Sequence, residues 1–164
     1  MLSRRSTLIA LSTSALNLAL GELLPVHAAA ANVLVIVTQK SSSLSDLTLR
    51  ELKRLYQSEQ VNGPEGTPLI PLNHPAGSPA RMAFDQLVLK MNPDEMGRYW
   101  IDRKIRGQTG APKAIPSLEL LRRAVASVPG TLTYLSTAEL TADLKVVNVD
   151  GKRPTDTGYP LRPA

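Results

Sequence analysis

Residues 73–84, Asn-His-Pro-Ala-Gly-Ser-Pro-Ala-Arg-Met-Ala-Phe, gather side chains that could hold a small oxyanion. Ser78 supplies a hydroxyl, Gly77 lets the backbone come close, and the amides of Ala80 and Arg81 fall in the first turn of what reads as a helix. His74 and Arg81 add charge. Helix-start amides and the positive end of the helix dipole both favour an anion. The same residues also make an ordinary helix start, with Ser78 as N-cap and Pro79 at the first helical position. Both readings stand on sequence alone. In an open site each charge-assisted hydrogen bond competes with water, so an oxyanion held here is expected to bind at millimolar affinity, about 4 kcal/mol.

Other chemistry finds little support. A hydrolase using Ser78 would need a base within reach, and His74 has no orienting acid beside it in the sequence. There is no cysteine, and His74 is the only histidine after residue 28, so neither a zinc set nor a thiol nucleophile can be assembled. The acids Asp94, Glu95, Glu119 and Asp143 read as helix starts and solvated surface. Gly107-Gln108-Thr109-Gly110 lacks the Gly-Lys-Ser/Thr of a phosphate-binding P-loop. No catalytic residue, metal or cofactor is expected. Arg98, Arg103, Lys104, Arg106 and Lys113 surround that glycine loop, as a solvated helix face or as an attraction for an acidic partner. Tyr99 and Trp100 are assigned to the core or to an interface.

These residues need a scaffold. Asn32 to Val37 is a continuous β-branched run, the pattern of a central strand covered on both faces. Thr48-Leu49-Arg50-Glu51 is a capping box, and Leu47 and Leu52 could staple the helix start. Asn62 to Gly66 is a turn, and Leu69 to Leu72 is a short strand whose proline suits an edge. Phe84, Leu87, Val88 and Met91 recur at helical spacing, which predicts a helix over Pro79 to Lys90. Asn92-Pro93 opens another helix and Ser117 a further one. Two strands follow, one in which Leu132 and Tyr134 alternate with Thr131 and Thr133, and one over Leu144 to Val149. The predicted class is α/β, a mixed sheet of about four strands flanked by helices.

The N-terminus reads as an export signal. Arg4 and Arg5 precede an interrupted apolar stretch from Thr7 to Leu24, and Val26-His27-Ala28 offers an A-x-A-like end, with cleavage expected after Ala28 or Ala30. The paired arginines also resemble a twin-arginine signal. Removing residues 1–28 leaves 136 residues, enough for one domain with its own core. It also removes Arg4, Arg5 and Glu22, lowering the formal charge from +5 to +4. That excess favours anionic partners. The basic residues are dispersed and interleaved with few aromatics, so nucleic acid is not expected. Residues 29–151 are assigned to the domain and residues 152–164, without periodicity, to a flexible C-terminal tail. No membrane insertion is expected once the signal is removed.

The order of these elements resembles one lobe of a phosphate-type periplasmic substrate-binding protein of an ABC transporter, particularly its short, single-lobe relatives. The likeness rests on Val33 to Val37 with the Ser41-Ser42-Ser43-Leu44 loop, the helix to Tyr56 leading to Gly63-Pro64-Glu65-Gly66, Gly77-Ser78-Pro79 before Phe84, and Val128-Pro129-Gly130-Thr131-Leu132-Thr133-Tyr134. It implies a single lobe of a type II periplasmic-binding-protein-like fold. The family's phosphate loop reads R-x-D-G-S-G-T. Anchored on Phe84, His74 stands at the arginine position and Ala76 at the aspartate, Gly77 and Ser78 are kept, and Pro79 and Ala80 replace the last two. Pro79 also removes an amide donor. The resemblance implies a non-enzymatic periplasmic protein in phosphate uptake or sensing, holding phosphate or another small oxyanion through His74, Gly77, Ser78, Ala80 and Arg81. The alternative is a ligand-free interaction module docking on a membrane transporter or sensor.

Overall fold

The computed structural model describes residues 33–162. The export signal and its cleavage site lie outside the described residues. Five strands form one mixed sheet in the order β2 (Asp46–Leu47), β5 (Leu144–Val149), β1 (Leu34–Gln39), β4 (Thr131–Ser136) and β3 (Ile70–Pro71). β1 is antiparallel to both neighbours, pairing Ile36 with Tyr134 and with Val147, while the short edge strands β2 and β3 run parallel to theirs. The expected central strand is therefore at the centre, and the proline strand is at an edge. The fifth strand, Asp46–Leu47, is a two-residue pairing with β5 that carries no strand signal of its own.

Alternation along β1 sorts the core into two layers. Leu34 and Ile36 join the layer containing Leu52, Leu55 and Tyr56 of α1 (Leu49–Tyr56) and Phe84 of α2 (Pro79–Phe84); Val35 and Val37 face Leu121 and Val125 of α4 (Leu118–Ser127). Each fully buried aliphatic side chain contributes about 1.5–3 kcal/mol relative to exposure. Thr48 and Glu51 form the expected capping box on α1, and Leu47 and Leu52 are both buried in the first layer. A second capping box, Asn92 with Glu95, starts α3 (Pro93–Ile105), and Ser117 Oγ accepts from the Leu120 amide at the start of α4.

Two expectations are corrected. The helix over Pro79 to Lys90 is not continuous: α2 passes at Asp85 into a π-helical turn, Asp85–Leu89, which ends on Lys90 in the left-handed conformation. Apolar spacing does not distinguish the two helix types. In β4, the predicted strand in which Leu132 and Tyr134 alternate with Thr131 and Thr133, all four residues are enclosed. The threonine hydroxyls donate to carbonyls, Thr131 Oγ1 to Val128 at 2.6 Å and Thr133 Oγ1 to Leu72 at 3.0 Å, so a polar face can lie under cover.

Secondly, residues 152–162 are not a loose tail. Tyr159 and Leu161 are buried in the first core layer, and the Leu161 carbonyl accepts from the Leu34 amide at 3.1 Å. Two apolar residues spaced i and i+2 suffice to anchor a segment that has no periodicity.

Candidate functional site

The 72–74 segment runs out of β3 and is fixed from below by aromatic rings. Tyr134 lies flat against Phe84, with centroids 3.9 Å apart and planes 7° from parallel, and Tyr56 tilts against both. Tyr134 Oη donates to Asn73 Oδ1 at 2.6 Å, and Tyr56 Oη donates to the Leu72 carbonyl at 3.1 Å. The ring stack thus holds both the strand end and the helix that follows Gly77.

His74 is drawn into this assembly. It is buried against the Tyr134 ring, and its Nε2 lies 2.7 Å from the Tyr134 carbonyl, which can only accept, so Nε2 carries the proton. Burial lowers the His74 pKa from 6.5, with the hydrogen bond to Tyr134 opposing the shift. The side chain is neutral at pH 7 and brings no charge to an anion.

Ser78 caps α2, its Oγ accepting from the Arg81 amide at 3.4 Å, and Pro79 occupies the first helical position. Gly77 is exposed at φ +78 with nothing within 4 Å of where a Cβ would stand, so its glycine identity answers to backbone conformation rather than to space. Ala80 is half-buried, packed on the first core layer.

Arg81 does something the sequence reading did not anticipate. Its side chain is only 10% exposed, and Nε donates to both oxygens of Asp85, at 2.9 and 2.7 Å. Burial raises the Asp85 pKa from 3.8 while the Arg81 charge pulls it back. Among the described residues, neither Nη nitrogen donates a hydrogen bond, and Arg81 is one of the residues lining a cavity. Asp85 therefore fixes the guanidinium by one edge and leaves the other free.

That cavity, about 380 Å³, lies between α2 and α3 and is closed on the far side by Ala111, Pro112 and Ala114. Its walls are mainly apolar: Met82, Met91, Pro93, Met96 and Trp100 surround the Arg81–Asp85 pair. The size falls in the usual range for small-molecule pockets. Of the five residues assigned to anion binding, Gly77 and Arg81 line it; His74, Ser78 and Ala80 do not. Asp85 and Trp100 were missed as site residues. The i,i+4 spacing of Arg81 and Asp85 was a readable signal for the first, whereas the cavity wall depends on how α3 packs.

The basic group near the 107–112 loop is partly engaged. Arg103 lies 5.7 and 5.8 Å from the Tyr99 and Trp100 ring centroids and donates to the Thr109 carbonyl, while Arg106 pairs with Asp102 at 3.0 Å. Arg103 thereby pins the loop against the aromatic wall. Tyr99 and Trp100 are half-buried against the core, and Trp100 Nε1 donates to Met96 Sδ at 2.9 Å. Among the described residues no cluster of three metal-ligating side chains occurs, and no helix is long and apolar enough to cross a membrane.

The sheet order and the helices on its two faces define a single lobe of a type II periplasmic-binding-protein-like fold, as the sequence implied. The chain is similar in structure to an ABC-type phosphate transport receptor from Vibrio cholerae, with a TM-score of 0.59 and 17% identity over 74% of this chain and 48% of that one. It is similar also to PstS from Borrelia burgdorferi, with a TM-score of 0.58 and 14% identity over 79% of this chain and 54% of that one. The chain thus spans about half the length of these two proteins. No family model matches the sequence, and no curated protein matches it.

Proposed function

We propose that the chain is an exported, non-enzymatic, solute-binding-like lobe that holds a small oxyanion at the α2–α3 cavity and serves phosphate uptake or sensing beside a membrane transporter. One observation carries the reading: a nine-tenths buried arginine that lines a cavity, is held at Nε by Asp85, and whose Nη nitrogens make no hydrogen bond among the described residues. A guanidinium fixed in this way loses little entropy on taking an oxyanion through two parallel hydrogen bonds. The fold shared with phosphate transport receptors supports phosphate as the first ligand to try and the periplasm as the compartment. Among the five residues read from sequence, the anion-holding role concentrates on Arg81, with Gly77 beside it. His74 and Ser78 become supports for the turn.

The test is an amide NMR titration of residues 29–164 with inorganic phosphate at constant ionic strength. Saturable shifts confined to Gly77, Arg81 and the cavity wall, lost in Arg81→Gln, are expected. Small, unsaturable shifts that Arg81→Gln leaves unchanged would contradict oxyanion binding.

A second reading has its own observation. Ile101 and Ile105, one turn apart on α3, are 62% and 79% exposed, which favours an interaction module that docks on a transporter or sensor. Replacing both by Ser would then abolish co-purification with that partner while leaving the phosphate titration unaltered.

A further inference from the structure

Arg81 lines a space far larger and more apolar than a bare phosphate requires. The cavity, about 380 Å³, has room for many waters or for a small organic molecule. The walls offering themselves to that volume are three methionines, two prolines, three alanines and Trp100. Inorganic phosphate would touch the guanidinium and leave those walls wet.

Charge argues in the same direction. Among the described residues Arg81 is the only cationic side chain lining the cavity, and Asp85 lies against it at 2.7 Å, so the pair together contributes no net charge. His74 is neutral and faces the Tyr134 carbonyl instead. A dianion placed on the Nη edge would meet one positive charge and a neighbouring carboxylate. A singly charged carboxylate matches the planar fork through two parallel hydrogen bonds and brings one charge rather than two toward Asp85.

We propose that this cavity takes a small organic monocarboxylate with an apolar body, its carboxylate on the Nη edge of Arg81 and its hydrocarbon among Met82, Met91, Met96 and Trp100. The inference rests on the preceding reading of Arg81 as the anion holder and puts a carboxylate in place of phosphate as its preferred ligand. Size, wall and charge each select the same kind of molecule. The Arg81–Asp85 pair sets orientation, and burial of hydrocarbon against the methionines supplies most of the affinity.

Trp100 is the single tryptophan of the chain, so its fluorescence reports occupancy of this cavity directly. The probe is cyclohexanecarboxylate, which does not absorb where tryptophan does, compared with inorganic phosphate and with uncharged cyclohexanemethanol. The carboxylate is expected to give a saturable change at concentrations at least about tenfold below either comparison compound, a difference of about 1.4 kcal/mol. Arg81→Gln should weaken it at least about tenfold. Because that variant leaves Asp85 buried without its partner, the double variant Arg81→Gln with Asp85→Asn is measured beside it and should show the same loss. Phosphate binding as tightly as the carboxylate overturns this inference and leaves the oxyanion reading standing. Equal binding of the alcohol and the carboxylate, unchanged in the double variant, overturns both. Silence of Trp100 toward the carboxylate, with phosphate shifting only Gly77 and Arg81, overturns the inference alone.

Discussion

At the scale of single residues, charge and position separate. His74 carries a group that titrates near neutrality, yet burial holds its pKa below 6.5 and its one visible hydrogen bond goes to a carbonyl. A base whose folded pKa is lowered contributes stability that is intact above the unfolded value and is lost as pH falls through the folded one. The His74 ring resonances should therefore titrate with a midpoint below 6.5. The urea midpoint should fall between about pH 7 and about pH 5 in the wild type and fall less in His74→Gln. A midpoint above 6.5 would mean that the ring is solvated or paired with an acid. Arg81 is the opposite case: its partner was visible in the sequence at i+4, but whether that pair would sit on the surface or in a cavity was not. Apolar spacing around Phe84 fixes which face of the helix is buried only while the helix stays α-helical, and the π turn begins at Asp85 itself. Turns of this type cluster at functional sites, where one added residue per turn re-aims side chains.

Elements were legible wherever a local rule decides them. The capping boxes at Thr48–Glu51 and Asn92–Glu95, the Ser78 and Ser117 caps and the proline edge strand all follow from chemistry within four residues. Thr48→Val should cost about 1 kcal/mol, and it should also alter the acid limb of the stability curve. Glu51 has its pKa lowered mainly by the Thr48 hydroxyl, so the stability it contributes is present above its unfolded pKa and lost as pH falls through the folded value. Acid unfolding of the variant should show a shallower loss over that range, and an unchanged curve would contradict the pairing. Gly130 shows what local rules cannot supply. It precedes β4 at φ +77, and a Cβ there would stand 2.6 Å from the Pro68 carbonyl oxygen, where the chain enters β3. Gly130→Ala should destabilise by about 2 kcal/mol or more in chemical denaturation, combining backbone strain with a clash against main chain. Gly77→Ala, strained at φ +78 but unobstructed, should cost about 1 kcal/mol. Equal costs would show that the approach of Pro68 is unimportant.

Over the whole molecule, the number of layers and the central strand could be read from β1, because an unbroken apolar run needs cover on both faces. The fate of residues 152–162 could not. Their burial depends on Tyr159 and Leu161 finding a vacancy beside Leu34 that only the assembled sheet creates. Leu161→Ala should lower stability by about 2–5 kcal/mol, measured by urea unfolding. Ending the chain at residue 151 should lower the thermal midpoint further than that substitution does. An unaltered midpoint on truncation would return this segment to the status of a tail. The cavity belongs to the same scale. Its floor comes from α2, its wall from α3 and its far side from residues 111–114, and no two of these are fixed relative to one another by sequence spacing.

The central claim is that Arg81, positioned by Asp85, offers its free Nη edge to an oxyanion. Nitrogen-detected NMR of the Arg81 guanidinium reads that edge directly, during addition first of inorganic phosphate and then of cyclohexanecarboxylate at constant ionic strength. The account predicts that at least one anion moves the Nη signals saturably while Nε, held by Asp85, moves little. Nη signals that stay fixed with both anions at saturating concentration would contradict it and leave the lobe as a protein-docking module.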